Sequence, residues 1–173
     1  MTGMQTLKAM SIATPHLMGV KMEKAVRLTG LRRRIEGLPA KVIPGFWDTF
    51  SPYRGWIPGQ TGRASYGALM EAPGSTEGFD YLTAVEVEYF RDSEGDWDQI
   101  LIPAQRYAVF SHRDHVSELR PALHTIFAHS LPGLNLVPKR HVDDVPLLLE
   151  RYDENFDMRT GWGGIQVWVP LRD

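Results

Sequence analysis

A single glutamate inside an apolar run near the end of the chain limits what this sequence can fold into. Residues 147–149 are three leucines, typical of a buried strand, and Glu150 follows them without a break. Because side chains alternate between the two faces of a strand, Leu148, Glu150 and Tyr152 are predicted to share one face. A carboxylate is expensive to bury unless it has partners or a function, so Glu150 becomes the first candidate functional residue.

The composition narrows the class of protein. The chain has 173 residues, of which 43% are hydrophobic, and this is enough to bury the core of one domain. A net charge of −2 argues against a dedicated nucleic-acid-binding protein. The absence of cysteine excludes disulfides and thiolate metal sites, and neither a signal peptide nor a membrane-spanning apolar run is evident. We therefore expect a cytoplasmic protein that contacts neither nucleic acid nor membrane.

The first half of the chain combines strand patterns with one helix pattern. Strands are predicted at residues 7–12, 16–24, 64–71 and 79–89. A helix is predicted over residues 40–50, because apolar residues recur there at spacings of three and four. They are Val42, Ile43, Phe46, Trp47 and Phe50. The arginine-rich residues 27–37 are predicted to be a solvated helix or loop face rather than a phosphate or DNA site.

The second half repeats the same theme of strand, helix, strand, turn and strand. The pattern predicts strands at residues 106–112, 145–152 and 165–170, with an amphipathic helix over residues 118–129. The halves align if residues 16–24 are matched with 106–112, residues 64–71 with 145–152, and residues 79–89 with 164–169. The predicted fold class is α+β, with two pseudo-symmetric sheet-plus-helix modules in one domain over residues 1–173. The repeats extend over about 7–90 and 100–173.

Several motifs together resemble one known family. In chain order they are Tyr66-Gly67, Phe79-Asp80-Tyr81, the strand at residues 102–112, Leu131-Pro132-Gly133, and Glu150-x-Tyr152 after Pro146. They resemble the gyrase-inhibitor-like (GyrI-like) effector-binding domains, which include the C-terminal drug-sensing domains of some bacterial transcription activators. The resemblance extends over residues 7–171. It departs from the family at Ser130, where a tryptophan usually forms part of the cavity wall.

The resemblance implies one antiparallel-sheet effector-binding domain with a central ligand cleft where the two modules meet. Glu150 would lie at the floor of an aromatic cleft, where it could pair with a hydrophobic cation while rings stack on the ligand's apolar body. The candidate ligand-binding residues are Glu150, Trp47, Tyr66, Tyr81, Tyr107, Tyr152 and Trp168. The sequence leaves open which rings face the cleft, because a shift of one residue in strand register exchanges the faces.

Three functions are compatible with this interpretation. We predict a stand-alone drug-sensing or sequestering protein for an amphipathic, aromatic or cationic small molecule, because 173 residues leave no room for the helix-turn-helix region of the family's activators. One alternative is a hydrolase that opens cyclopropane-bearing xenobiotics with Glu150 as general base, the one catalytic candidate. The other is a protein–protein inhibitor of a gyrase-like target. The oligomeric state stays open.

Two further clusters are better explained as turns. His112, Asp114 and His115 have a spacing that metal ligands use, but they lie at a predicted strand end, where side chains need not converge. The glycines of residues 161–164 precede a strand rather than a helix, which favours a hairpin turn over a phosphate-binding loop. We therefore expect no metal and no cofactor.

Overall fold

The computed structural model describes residues 15–71, 78–91, 97–140 and 145–173. Within these ranges eight strands form one antiparallel sheet, so the α+β fold class is confirmed. The strands are β1 (His16–Glu23), β2 (Val26–Ile35), β3 (Gln60–Glu71), β4 (Phe79–Val87), β5 (Asp98–Ile102), β6 (Gln105–His112), β7 (Leu148–Tyr152) and β8 (Ile165–Pro170). Their order across the sheet is β1-β6-β8-β7-β3-β4-β2-β5. The strand predicted at residues 7–12 lies outside the described residues.

Two helical segments pack on one face of the sheet. Helix α1 (Pro39–Phe50) follows β2. Four of its five predicted apolar residues are buried, namely Ile43, Phe46, Trp47 and Phe50, whereas Val42 is 42% exposed. Helix α2 (Leu119–Thr125) follows β6 and continues through a π-helical turn, Ile126–Ser130, to a last turn at Leu131–Gly133. None of the helices in the four described ranges is long and apolar enough to cross a lipid bilayer.

The sheet has the same arrangement on both sides of the central β7–β3 pair. Strands β8 and β4 flank this pair, β6 and β2 follow, and β1 and β5 form the edges. The two edge strands are exchanged: β1 comes from the first half but pairs with β6, whereas β5 comes from the second half but pairs with β2. The predicted match of residues 16–24 with 106–112 was therefore wrong, because in this order β6 corresponds to β2, and β1 corresponds to β5.

The arginine-rich segment is strand β2, so the prediction of a helix or loop face was wrong. Arg32 and Arg34 point to one face and both form ion pairs with Asp80 of β4, at 2.7 and 2.9 Å. Arg33 points to the other face, where its guanidinium lies 5.0 Å from the ring centre of Phe46 in α1. The charges are thus distributed over both faces of a strand rather than gathered into a phosphate-binding patch.

Two hydrophobic cores lie on opposite faces of the sheet. The helix-side core contains the buried large apolar residues of α1 and α2 together with Tyr81, Leu148 and Tyr152. The second core consists of strand residues alone, among them Tyr66 and Leu149, so strands rather than helices bury this face. Glu150 shares its face with Leu148 and Tyr152, as alternation along the strand predicts. The carboxylate therefore points towards the helices.

Candidate functional site

Glu150 lies at the centre of the sheet, where residues of three neighbouring strands come into close contact. On β7 it lies opposite Gly67 of β3, and Gly67 in turn lies opposite Thr83 of β4. A Cβ atom at Gly67 would overlap the hydroxyl of Tyr81 and crowd Glu150 Oε2. The missing side chain therefore lets the phenol of Tyr81, on β4, extend across β3 and reach the carboxylate.

One oxygen of the carboxylate is held by two phenols. Glu150 Oε2 accepts hydrogen bonds from Tyr81 Oη at 2.6 Å and from Tyr152 Oη at 2.8 Å. Tyr81 Oη also accepts a hydrogen bond from Trp47 Nε1 at 3.1 Å, which extends the network into α1. Burial raises the pKa values of Tyr81 and Tyr152 well above the usual range of tyrosine, and the neighbouring charge of Glu150 raises both pKa values further. The phenols therefore stay protonated and act as donors.

The other carboxylate oxygen is free of hydrogen bonds from the described residues. Glu150 is only 1% exposed, and its Oε1 is buried without a hydrogen-bond partner there. Nη2 of Arg120, on α2, lies 3.6 Å away, which is close enough for an ion pair but too long for a hydrogen bond. The carboxylate is therefore fixed through Oε2, while Oε1 keeps its capacity to accept.

A cavity of about 380 Å³ adjoins this carboxylate. This volume falls within the range of small-molecule sites, and the apolar part of its wall comes from α1, the start of α2 and the segment after β7. The main apolar residues are Ile43, Pro44, Trp47, Leu119, Phe156 and Met158. Most of the wall surface is apolar, as is usual for a site that binds an apolar ligand and fixes its orientation with polar groups.

The aromatic rings of the cavity wall pack against one another at steep angles. The rings of Trp47 and Tyr152 have centres 5.2 Å apart at 69°, and Tyr152 lies 4.8 Å from Phe156. Trp47 is only 9% exposed, because its indole is held by this packing and by the hydrogen bond to Tyr81. Such contacts stabilise one geometry, so the rings form a rigid surface next to the carboxylate.

The predicted rings divide between the two faces of the sheet. Trp47 and Tyr152 line the cavity, and Tyr81 lies behind the carboxylate as its hydrogen-bond donor. Three others, Tyr66, Tyr107 and Trp168, belong to the strand-only core on the opposite face.

These three rings do not line the cavity, because strand register places them on the opposite face of the sheet. Tyr66 lies opposite Arg151, one residue beyond Glu150, and its hydroxyl accepts a hydrogen bond from Arg151 Nε at 3.3 Å. Tyr107 packs against Trp168 with ring centres 5.4 Å apart. They fill the strand-only core and do not line this cavity, and their contact with a ligand stays a prediction.

The histidine cluster forms a turn at the rim of the cavity. His112 Nε2 lies 3.0 Å from the carbonyl oxygen of His115, and His115 Nδ1 accepts a hydrogen bond from the amide of Ser117 at 3.1 Å. His115 Nε2 lies 2.9 Å from the carbonyl oxygen of Thr160 and so ties this turn to the hairpin before β8. Across the described ranges no group of three or more possible ligands is placed to hold a metal ion.

Sequence reasoning missed two cationic residues of the cavity wall. Arg54 follows α1, and its buried Nε has no acceptor among the described residues, while its Nη1 donates to Ser65 Oγ at 3.3 Å. Arg120 opens α2 and reaches Glu150 across the cavity edge. No pattern in the sequence marks either residue, because each meets the site through the packing of a helix on the sheet.

Comparisons with known proteins agree with this architecture. The GyrI-like small molecule binding domain matches residues 18–172. The transcriptional regulator BrlR of Pseudomonas aeruginosa is 29% identical over 119 residues, which cover 68% of this chain and 42% of BrlR. The chain thus spans less than half the length of this curated relative.

Solved structures share the fold at low sequence identity. SAV2435 bound to tetraphenylphosphonium superposes with a TM-score of 0.66 at 18% identity, over 89% of this chain and 93% of that one. The C-terminal domain of EcmrR gives a TM-score of 0.65 at 15% identity, over 92% and 98% of the two chains. Because the family match extends over nearly all of the sequence, this chain belongs to the GyrI-like small-molecule-binding domain family.

Proposed function

We propose that the cavity binds an amphipathic aromatic molecule whose cationic or strongly hydrogen-bond-donating group contacts Glu150 Oε1. The observation that carries this proposal is the asymmetry of the carboxylate: Oε2 accepts two phenol hydrogen bonds, whereas Oε1 is buried and accepts none from the described residues. An unsatisfied buried acceptor is costly, especially when it is charged. A ligand donor at Oε1 would remove that cost.

The wall of the cavity supports an apolar ligand body. Trp47, Tyr152 and Phe156 present rings, and Ile43 and Met158 add aliphatic and thioether surface. Aromatic rings attract a cation through their electron-rich faces, and they also stack on the ligand's own rings. SAV2435, which shares this fold, was solved with tetraphenylphosphonium, a lipophilic cation of this kind.

The carboxylate is already oriented for binding. Hydrogen bonds from Tyr81 and Tyr152 fix Oε2, and the indole of Trp47 in turn fixes Tyr81. Less side-chain freedom is then lost when a ligand binds, which increases affinity. The ion pairing of a ligand with Glu150 would thus combine with a rigid apolar wall.

Titration calorimetry with tetraphenylphosphonium tests this proposal. We expect Glu150→Gln to weaken binding at least about tenfold, because the isosteric amide keeps the shape but removes the charge. Glu86→Gln is the matched control, since Glu86 is a partly buried carboxylate next to Tyr66 on the opposite face. If Glu150→Gln binds the cation as tightly as the parent, pairing with Glu150 is not the basis of recognition.

Hydrolysis stays a second candidate because it would use the same atom. A general base must offer a free acceptor to water beside the substrate, and Glu150 Oε1 meets this requirement. Mass spectrometry after incubation with a cyclopropane-bearing aromatic compound would show the mass of one added water if the chain is a hydrolase. Inhibition of a protein target, a stand-alone role and a cytoplasmic location stay predictions from the sequence.

A further inference from the structure

Arg120 reaches the same oxygen that the proposed function assigns to the ligand. Its Nη2 lies 3.6 Å from Glu150 Oε1, whereas a guanidinium that donates to a carboxylate usually lies at about 2.7–2.9 Å. The side chain of Arg120 is 30% exposed, while that of Glu150 is 1% exposed. The pair is therefore loose, and one of its members has access to solvent.

This loose pair has a clear electrostatic role in the unliganded protein. A carboxylate that is removed from water needs a compensating charge, and Arg120 is the cation that forms an ion pair with Glu150. Because the guanidinium is partly exposed and ends a flexible stem, it can turn outwards into water without leaving a buried charge of its own. Arg120 can thus leave Glu150 at a lower cost than a buried partner could.

A cationic ligand would compete with this guanidinium. A second positive charge at Oε1 would lie next to Arg120, and like charges at such short range repel each other. The charged residues of the cavity wall are already balanced, with Asp48 and Glu150 against Arg54 and Arg120. A cation that enters while Arg120 stays in place would disturb this balance.

We propose that Arg120 sets the charge preference of the cavity. Its guanidinium neutralises Glu150 in the unliganded protein, and a cationic ligand contacts Glu150 Oε1 only after it has displaced that guanidinium. The inference rests on the proposed function, because it assigns a regulator to the same site. Arg120 thereby lowers the affinity for cations and leaves the parent protein tolerant of neutral ligands. Removal of its charge would turn the cavity into a selective cation site.

Two probes of similar shape and opposite charge test the inference, namely tetraphenylphosphonium and tetraphenylborate. We expect Arg120→Gln to bind the phosphonium about tenfold more tightly than the parent and to bind the borate more weakly. Arg120→Met serves as a second variant, because it keeps the apolar stem if the glutamine variant folds poorly. Arg32→Gln is the matched control, since Arg32 is 28% exposed and pairs with Asp80 away from the cavity.

The stability of the unliganded variants provides a second measurement. In Arg120→Gln the buried Glu150 lacks its counter-charge, so we expect a lower melting temperature than in the parent. Tetraphenylphosphonium should raise the melting temperature of this variant more than that of the parent. If the parent binds the phosphonium and neither Arg120 variant binds it more tightly, the role of Arg120 is refuted while the proposed function stands. If neither the parent nor any variant binds either probe, the proposed function is refuted, and the inference that depends on it also fails.

Discussion

The Oη atom of Tyr81 and the Oε2 atom of Glu150 are 2.6 Å apart, although their strands β4 and β7 are not neighbours in the sheet. Strand β3 lies between them, and Gly67 on that strand leaves the space through which the phenol passes. A glycine, a tyrosine and a glutamate on three strands thus form one unit. This dependence leads to a first prediction about the glycine.

Gly67→Ala should lower the free energy of unfolding by about 1–3 kcal/mol, because the new methyl group would overlap the hydroxyl of Tyr81. It should also weaken ligand binding by displacing the carboxylate. Gly45→Ala is the control, since a Cβ atom at that exposed helical position meets nothing within 4 Å. We expect the control to be neutral or slightly stabilising. Urea denaturation of both variants measures the difference, and an equal effect of the two changes would contradict the role of Gly67.

Tyr81→Phe and Tyr152→Phe should each lower the free energy of unfolding by about 1.5–3 kcal/mol, because each removes a hydrogen bond to a buried carboxylate. The two losses should not be additive, since both phenols serve the same oxygen. Tyr53→Phe, at an exposed position, should change stability little. Chemical denaturation of the single and double variants gives the coupling. Strict additivity would show that the phenols act independently.

The protein should lose stability in alkali because of the same two phenols. Burial raises the pKa of Tyr81 and Tyr152 in the folded state above the usual value near 10. The folded state then binds more protons than the unfolded state, so this contribution is complete below about pH 10 and is lost as the pH rises further. Denaturation from pH 8 to 11 should show a steeper decline for the parent than for the Tyr81→Phe/Tyr152→Phe variant. Parallel curves would contradict the assignment.

Trp47 should report ligand binding by its fluorescence. It lines the cavity and donates to Tyr81, so a bound aromatic cation would change the surroundings of its indole. Trp47→Phe should remove most of the emission change caused by tetraphenylphosphonium. Trp56→Phe should keep that change, because Trp56 is 83% exposed and lies outside the cavity wall. An unchanged response in Trp47→Phe would mean that the ligand binds elsewhere.

Local patterns in the sequence were sufficient to predict on which face of its strand or helix each central residue of the candidate site lies. Alternation along one strand placed Glu150 and Tyr152 on the same face, and the spacing in residues 40–50 placed Trp47 on the buried face of α1. These predictions depend only on the geometry of one element at a time.

The rest depended on how elements meet, which local patterns do not contain. Tyr66, Tyr107 and Trp168 have the composition of a ligand site, but strand register turns them to the opposite face. Strand β2 was not recognised because Arg32, Arg33 and Arg34 interrupt its apolar alternation. Two of these arginines form ion pairs with Asp80, and the third lies over the ring of Phe46. Both partners lie distant in the sequence.

The exchange of the edge strands has a consequence for how the chain reaches its native state. His16 pairs with Ser111 and Val26 pairs with Ile102, so the outer strands form only after most of the polypeptide is available. Such distant contacts slow folding, because the entropy of closing long loops is lost before the contacts stabilise the chain. In a fragment that ends between β4 and β5, strand β2 would pair with β4 but would lack β5. Its other edge would then be open, and open strand edges favour aggregation. We therefore expect the two halves to fold as one cooperative unit.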